Sequence, residues 1–243
     1  DTFSSRGLGD VYKRQILLSS AIEKYANFYG VACGEKNVLF TNNDSAYETA
    51  ISLYQKGINI EAIIDNREET DSKLIKETEK NNIKVYKGYT VVDTYGYKRV
   101  DKVSIMQLSK DGQKAIGSKI SISCDCLGIS GGWTPAVHLF TQSGGKLKFR
   151  DEDQVFIPNI YPSDQISIGS CNGDFTLDEI LSTTPKTLKE FLNLKKIDYE
   201  DLEIKSSFNK SKRNIWLLPS DKIIGKTKPF VDYQNDATAK DIK

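Results

Sequence analysis

The side chains and turns most able to do chemistry cluster at strand ends. The first group is Thr41, Asn42 and Asn43, followed at some distance by Asp65. A strand, a tight turn, a helix and an acid closing the next strand is the layout of a dinucleotide-binding βαβ unit. A G-x-G-x-x-G pattern would fall on Thr41, Asn43 and Ala46. Ala suits the third place, where helix meets strand. Thr41 and Asn43 put side chains where backbone should approach a pyrophosphate, and Asp65 stands where a ribose hydroxyl would be gripped. Asp44, in the first turn of the helix, would repel a phosphate. These four cofactor-type positions, Thr41, Asn42, Asn43 and Asp65, therefore read as a weaker, vestigial site. Asn42 and Asn43 are expected to make the turn, because Asn tolerates the left-handed conformation.

The second group is made of glycine turns. Gly131 and Gly132 end an apolar stretch, where missing side chains let backbone approach a ligand or another chain. Gly169, Asn172 and Gly173 sit in "ISIGSCNGDFTLDEIL", read as strand, glycine turn and helix. That turn resembles the second diphosphate contact of two-dinucleotide flavoproteins. Gly131, Gly132, Gly169, Asn172 and Gly173 are expected to leave backbone room for a dinucleotide, and a valine at Gly173 is expected to meet its diphosphate. No catalytic residue is assigned. His138, the only histidine, lies in an apolar stretch with no nucleophile beside it and reads as a packed or capping residue. Trp133 reads as packing, and Asp178 with Glu179 as a charge pair at a helix start.

Metal chemistry finds no support. Cys124-Asp125-Cys126 is too closely spaced for a zinc knuckle, and Cys33 and Cys171 stand apart. Buried free thiols in a reducing cytoplasm are expected instead. No serine elbow, Walker loop or H-E-x-x-H occurs.

The elements that must position these turns follow from periodicity. Ile16–Gly30 has apolar residues at helical spacing and ends on a glycine. "NVLFT" reads as a buried strand, Asp44–Lys56 as a helix, "INIEAIID" as a strand, Asp71–Asn82 as a polar helix and "IKVYKG" as a third strand. This βαβαβ run argues for a parallel sheet with right-handed crossovers. From Tyr89 to Asp125 apolar and polar residues alternate around turn signals at Tyr95-Gly96 and Asp111-Gly112, an antiparallel meander. Beyond Ile180 the chain is richer in Lys and loses strand–helix alternation, as a linker would.

The chain has 243 residues and a net charge of +1. Its opening "SSRGLGDVYKRQ" has no apolar face and fits neither a secretory signal nor a transit peptide well. Asp10–Gln15 back-translates as GAT GTG TAT AAG AGA CAG, which resembles the end of a transposon sequencing adapter. Ser5–Gln15 is therefore read as adapter-derived, and the natural sequence as a piece opened at an arbitrary point. That stretch holds three basic residues and one acid, which leaves the rest at −1. Neither nucleic acid nor an anionic membrane is suggested by that balance. No run of apolar residues is long enough to span a bilayer.

Taken together, "NVLFTNNDSAYETA", "CLGISGGWTPAVHLF" and "FVDYQNDATAKDI", with the upstream "AIEKYANFYGVACGEKNVLF", resemble the alpha-subunit family of heterotetrameric sarcosine oxidase. The resemblance covers Ile16 to Lys243. It implies an α/β, thioredoxin-reductase-like fold with two dinucleotide-binding domains, of flavoprotein type, followed by the start of a ferredoxin-like module. In "VDYQNDATAKDI" the places where related dehydrogenases carry cluster cysteines fall on Asp232 and Gln234, so the module is expected to be metal-free. The implied segments are an adapter tail (1–15), the end of the first part of the NAD domain (16–35), an inserted nucleotide-type domain (36–125), the returning part of the NAD domain (126–180), and a linker with the start of the cluster-less module (181–243). The family implies a cytoplasmic complex that oxidises sarcosine to glycine, formaldehyde and hydrogen peroxide. NAD would sit in this subunit, FAD and FMN elsewhere in the complex, and folate in a further domain. Beta, gamma and delta subunits are the implied partners. The rival readings are a subunit of an opine, proline or amine dehydrogenase, and a nucleotide-binding scaffold without catalysis.

Overall fold

The computed structural model describes residues 14–162, 164–193, 218–219, 230–232, 237–238 and 241. Most of the adapter-like opening and Gln234 thus lie outside the described residues. The chain divides into two compact units, one ending at Gly132 and joined by residues from Asn209 onward, the other Trp133–Phe208.

In the first unit, apolar β-branched runs form a parallel sheet. Strand β1 (Ile16–Leu18) leads into helix α1 (Ser19–Tyr29); then come β2 (Asn37–Thr41), α2 (Ser45–Gln55), β3 (Ile60–Asp65), α3 (Lys73–Lys80) and β4 (Val85–Lys87). An antiparallel meander follows, β5 (Tyr89–Tyr95), β6 (Lys102–Leu108) and β7 (Ala115–Ser123), before the chain returns as β8 (Cys126–Ser130). The sheet order is β1-β8-β2-β3-β4, every pair parallel. The single helix expected over Ile16–Gly30 is corrected here. Its first three residues instead pair with Leu127–Ile129, and their burial against a neighbouring strand outweighs helical spacing. Gly30 ends α1 in the left-handed region, as expected.

Three layers result. Leu39, Tyr47, Ala50, Leu53, Ile63 and Ile75 pack between the sheet and helices α1–α3. On the other face Val38, Phe40, Ile64, Val103, Ile105 and Leu127 pack between the sheet and the meander. A sheet covered on both faces explains why β2 is buried along its whole length and reads as a continuous apolar run. Gly128 is required where β8 passes beneath α1, since a Cβ there would run into Leu39 and Ile22. β8 was assigned by sequence to the returning segment from residue 126, yet it lies between β1 and β2 in this same sheet.

The second unit contains helix α4 (His138–Gln142), a hairpin of β9 (Lys146–Arg150) and β10 (Val155–Ile160), a 3₁₀ turn at Gly169–Asn172 and helix α5 (Leu177–Phe191). Two sequence expectations are overturned. Ile166–Ile168 forms no strand; the sheet of this unit is the hairpin, whose lysine-rich β9 and internal Pro158 hid it from the pattern. Helix α5 runs across the boundary drawn at residue 181 and continues through Pro185. A box between Thr176 and Glu179 caps its start, in which the Thr176 amide donates to the Glu179 carboxylate and the Thr176 side chain accepts from the Glu179 amide. Strands β11 (Phe230–Asp232) and β12 (Ala237–Thr238) form an antiparallel pair.

Candidate functional site

A nucleotide-type fold binds ligand at the carboxyl ends of its parallel strands, where the strand order reverses. In the first unit that place lies beyond Thr41, Asp65 and Ser130, the last residues of β2, β3 and β8. The β2–α2 turn there is held by its own side chains. Thr41 Oγ1 donates to the Asn43 carbonyl at 2.8 Å and accepts from the Asn43 amide at 3.1 Å. Asn43 Oδ1 accepts from the Ser45 amide at 2.9 Å. Neither Asn42 nor Asn43 has the expected left-handed backbone. Side-chain hydrogen bonds, and not a positive φ, make this turn.

The same asparagines reach across to β8. Asn42 Nδ2 donates to the Gly131 carbonyl at 3.1 Å, and Asn43 Nδ2 to the Ser130 carbonyl at 3.2 Å. The Ser45 and Ser130 hydroxyls lie 2.8 Å apart. Gly131 and Gly132, grouped by sequence with the later glycines, are thus brought against Asn42 and Asn43. Gly132 has φ +105°, and a Cβ on it would lie 3.8 Å from Asn42 Oδ1. Its glycine is explained by the backbone of the strand exit.

Beside this turn sits a charged group that sequence reasoning missed. The Arg67 guanidinium pairs with Asp65 Oδ2 at 2.7 Å and Asp44 Oδ1 at 2.9 Å. Arg67 Nε also donates to Asp65 Oδ1 at 3.0 Å, and the Arg67 amide to the same oxygen at 2.9 Å. Tyr47 donates its hydroxyl to Asp65 Oδ2 at 2.8 Å. Asp44, Tyr47, Asp65 and Arg67 are all buried, Asp65 completely. Burial by itself would lower the Arg67 pKa, but the hydrogen bonds and charges of Asp65 and Asp44 outweigh it and raise it. Burial first, then the Asp65 charge, pushes the Tyr47 phenol far above its usual range. The signal available in the sequence was Asp65-Asn66-Arg67, an arginine two residues after the expected ribose acid.

The residues of this crevice do not fit a dinucleotide. The acid that would hold a ribose is filled by Arg67 and Tyr47, and the helix start that would face a phosphate carries Asp44.

In the second unit, Gly169 and Gly173 are buried, with φ +68° and +89°. The Gly173 amide donates to the Ser170 carbonyl at 3.2 Å and the Asp174 amide to the Gly169 carbonyl at 3.2 Å, closing the turn on itself. A Cβ at Gly173 would lie 2.7 Å from Arg150 Nη2 and 3.1 Å from Ile157 Cγ2. A valine there, expected to meet a diphosphate, would also press on Arg150, which pairs with Asp153 and donates to the Gly173 carbonyl at 3.0 Å. Asn172 lies half-buried in the same turn. Asp178 and Glu179 occupy the first turn of α5, the charge pair expected there.

Other expectations fare unevenly. His138 is exposed at the start of α4, and Trp133 is 52% exposed, so neither is a packed residue. All four cysteines are free. Burial pushes the thiols of Cys124 and Cys126 up to about 12. Among the described residues no group of three His, Cys, Asp or Glu is placed to hold a metal ion, and no helix is long and apolar enough to cross a membrane.

The parallel sheet, its covering helices and the meander define an α/β fold of the dinucleotide-binding type. Among solved structures, the flavoprotein disulfide reductase RclA from Escherichia coli matches 79% of this chain and 42% of its own, with a TM-score of 0.55 and 12% identity. In sequence the chain resembles sarcosine oxidase alpha subunits, as expected. It is 31% identical to that of Corynebacterium sp. (strain P-1) and 26% to that of Rhizobium meliloti (strain 1021), in each case over 93% of this chain. It spans 24% and 22% of the length of those relatives. No family model matches the chain.

Proposed function

We propose that this chain is a stretch of the alpha subunit of a sarcosine oxidase complex of the cytoplasm. In it, sarcosine is oxidised to glycine, formaldehyde and hydrogen peroxide on a beta subunit carrying FAD. Gamma and delta subunits, FMN and a folate-binding domain complete the assembly. The observation that carries the reading is likeness to sarcosine oxidase alpha subunits along 93% of this chain. Its part in that assembly is to hold cofactor and organise partners while oxidation proceeds elsewhere. NAD is assigned to the whole subunit, with the turn Gly169, Asn172 and Gly173 as the contact offered by this chain's second unit. Gly131 and Gly132 take no direct part, because Asn42 and Asn43 engage that strand exit.

The test is to express the full-length subunit with its gene neighbours. Peroxide release on adding sarcosine is expected, together with NAD released in stoichiometric amount on denaturation. Turnover of proline or an opine with no response to sarcosine would overturn the reading.

A further inference from the structure

The crevice of the first unit is not merely short of glycines. Each part of a nucleotide that such a crevice would bind has a counterpart within the chain. A phosphate would lie at the start of α2; the Asp44 carboxylate stands there. A ribose would offer two hydroxyl donors to the acid ending β3; the Arg67 guanidinium offers that acid Nε and Nη2, at 3.0 and 2.7 Å. The planar fork of an arginine matches a carboxylate through two parallel bonds, as a diol does. Arg67 then bridges to Asp44, so the surrogate anion and the surrogate diol neutralise one another. Tyr47 fills a further acceptor position on Asp65. Asn42 and Asn43 close the remaining side by bonding to the end of β8.

We infer that this is a self-liganded nucleotide site, in which Asp44 and Arg67 take the places of phosphate and ribose and brace the ends of β2, β3 and β8. The inserted unit is a nucleotide-free domain whose crevice is filled by its own side chains. This stands whether or not the whole protein carries NAD.

Two measurements on the 243-residue chain test it. In the first, NAD, NADP and ADP are titrated in while the Arg67 Nε–H resonance is followed. A proton bonded to a buried carboxylate exchanges slowly with water, so a persistent resonance that does not move at millimolar nucleotide is expected. A saturable shift overturns the inference. In the second, Asp44→Ala removes the surrogate anion and leaves the Arg67–Asp65 pair at an open helix start. Inorganic pyrophosphate should then raise the melting temperature of the variant saturably and leave the parent unchanged. A folded variant that ignores pyrophosphate overturns the assignment of Asp44. If the variant does not fold, the resonance of the parent chain decides. NAD found in the full-length complex but cross-linked to residues 37–67 would sink this inference while leaving the proposed function intact. A complex without NAD would do the reverse.

Discussion

The two turns that resemble nucleotide contacts are built on opposite principles. The crevice of the first unit is closed by charge: two carboxylates, a guanidinium and a phenol, all buried, satisfy one another. The turn of the second unit is closed by backbone: two glycines in the left-handed region let amides at 173 and 174 return to carbonyls at 170 and 169. The first arrangement depends on side-chain identity and on pH. The second depends on the absence of a Cβ, and its one charged contact, from the Arg150–Asp153 pair to the Gly173 carbonyl, involves groups that keep their charge from pH 6 to pH 9. The contrast teaches that glycine spacing alone does not locate a ligand. The chain lacks glycines in the β2–α2 turn of its crevice, and has them where a tight turn needs them.

Breaking the charged closure should have the largest effect. Arg67→Ala leaves Asp44 and Asp65 buried without a counter-charge, and removing one partner of a buried pair costs about 3–5 kcal/mol. Urea denaturation should show that loss in the midpoint. Arg67→Lys should recover only part of it, because an ammonium cannot supply the paired Nε and Nη2 contacts. Equal stability of Arg67→Ala and the parent would show that the crevice is solvated and the comparison false.

The backbone closure comes next. Gly173→Val adds left-handed strain and a Cβ pressed on Arg150, together about 2–4 kcal/mol. Gly169→Ala, whose Cβ would meet only Ile180 at 3.7 Å, should cost about 1–2 kcal/mol from strain alone. Gly169→Ala is therefore the cleaner probe of any cofactor contact. Thermal melts of both variants should keep this order at pH 6 and pH 9. An order that changes with pH would mean that a group titrating in that range also holds the second turn.

Much of this was legible in the sequence and some was not, for physical reasons. The βαβαβ run and meander could be read because a sheet covered on both faces demands continuous apolar strands, as in "NVLFT" and "EAIID". The place of β1 was hidden because three residues carry too little periodicity to separate strand from helix. The β9–β10 hairpin was hidden because exposed lysines and Pro158 mimic a loop. Asp65 and Asp44 were recognised as the groups that matter at the crevice. Their partner Arg67 was not, because its bridge to Asp44 joins different loops and an arginine two residues after an acid does not by itself announce a pair. At Gly173 the packing against Arg150 and Ile157 was hidden too, since no local pattern reveals those neighbours.

The smallest effect sharpens the comparison most, because it isolates one hydrogen bond. Tyr47→Phe keeps the ring in the core and removes only the hydroxyl that donates to Asp65. At pH 7 the loss should be about 1–2 kcal/mol, the cost of leaving a buried carboxylate oxygen short of one donor. The alkaline limb then gives the sign. Tyr47 has an ordinary phenol pKa of 10.0 when unfolded and a far higher one when folded. Above pH 10 the unfolded chain releases that proton while the folded chain keeps it, so the stability from Tyr47 is complete below pH 10 and declines as pH rises. Cys124 and Cys126, raised from 9.0 to about 12, decline with the same sign from pH 9 upward and contribute equally to parent and variant. The difference in stability between parent and Tyr47→Phe should thus shrink between pH 10 and pH 11.5, measured by urea melts at fixed ionic strength. A difference that stays constant would mean that the folded Tyr47 phenol is not raised above its ordinary value, so that it is neither buried from water nor held by Asp65.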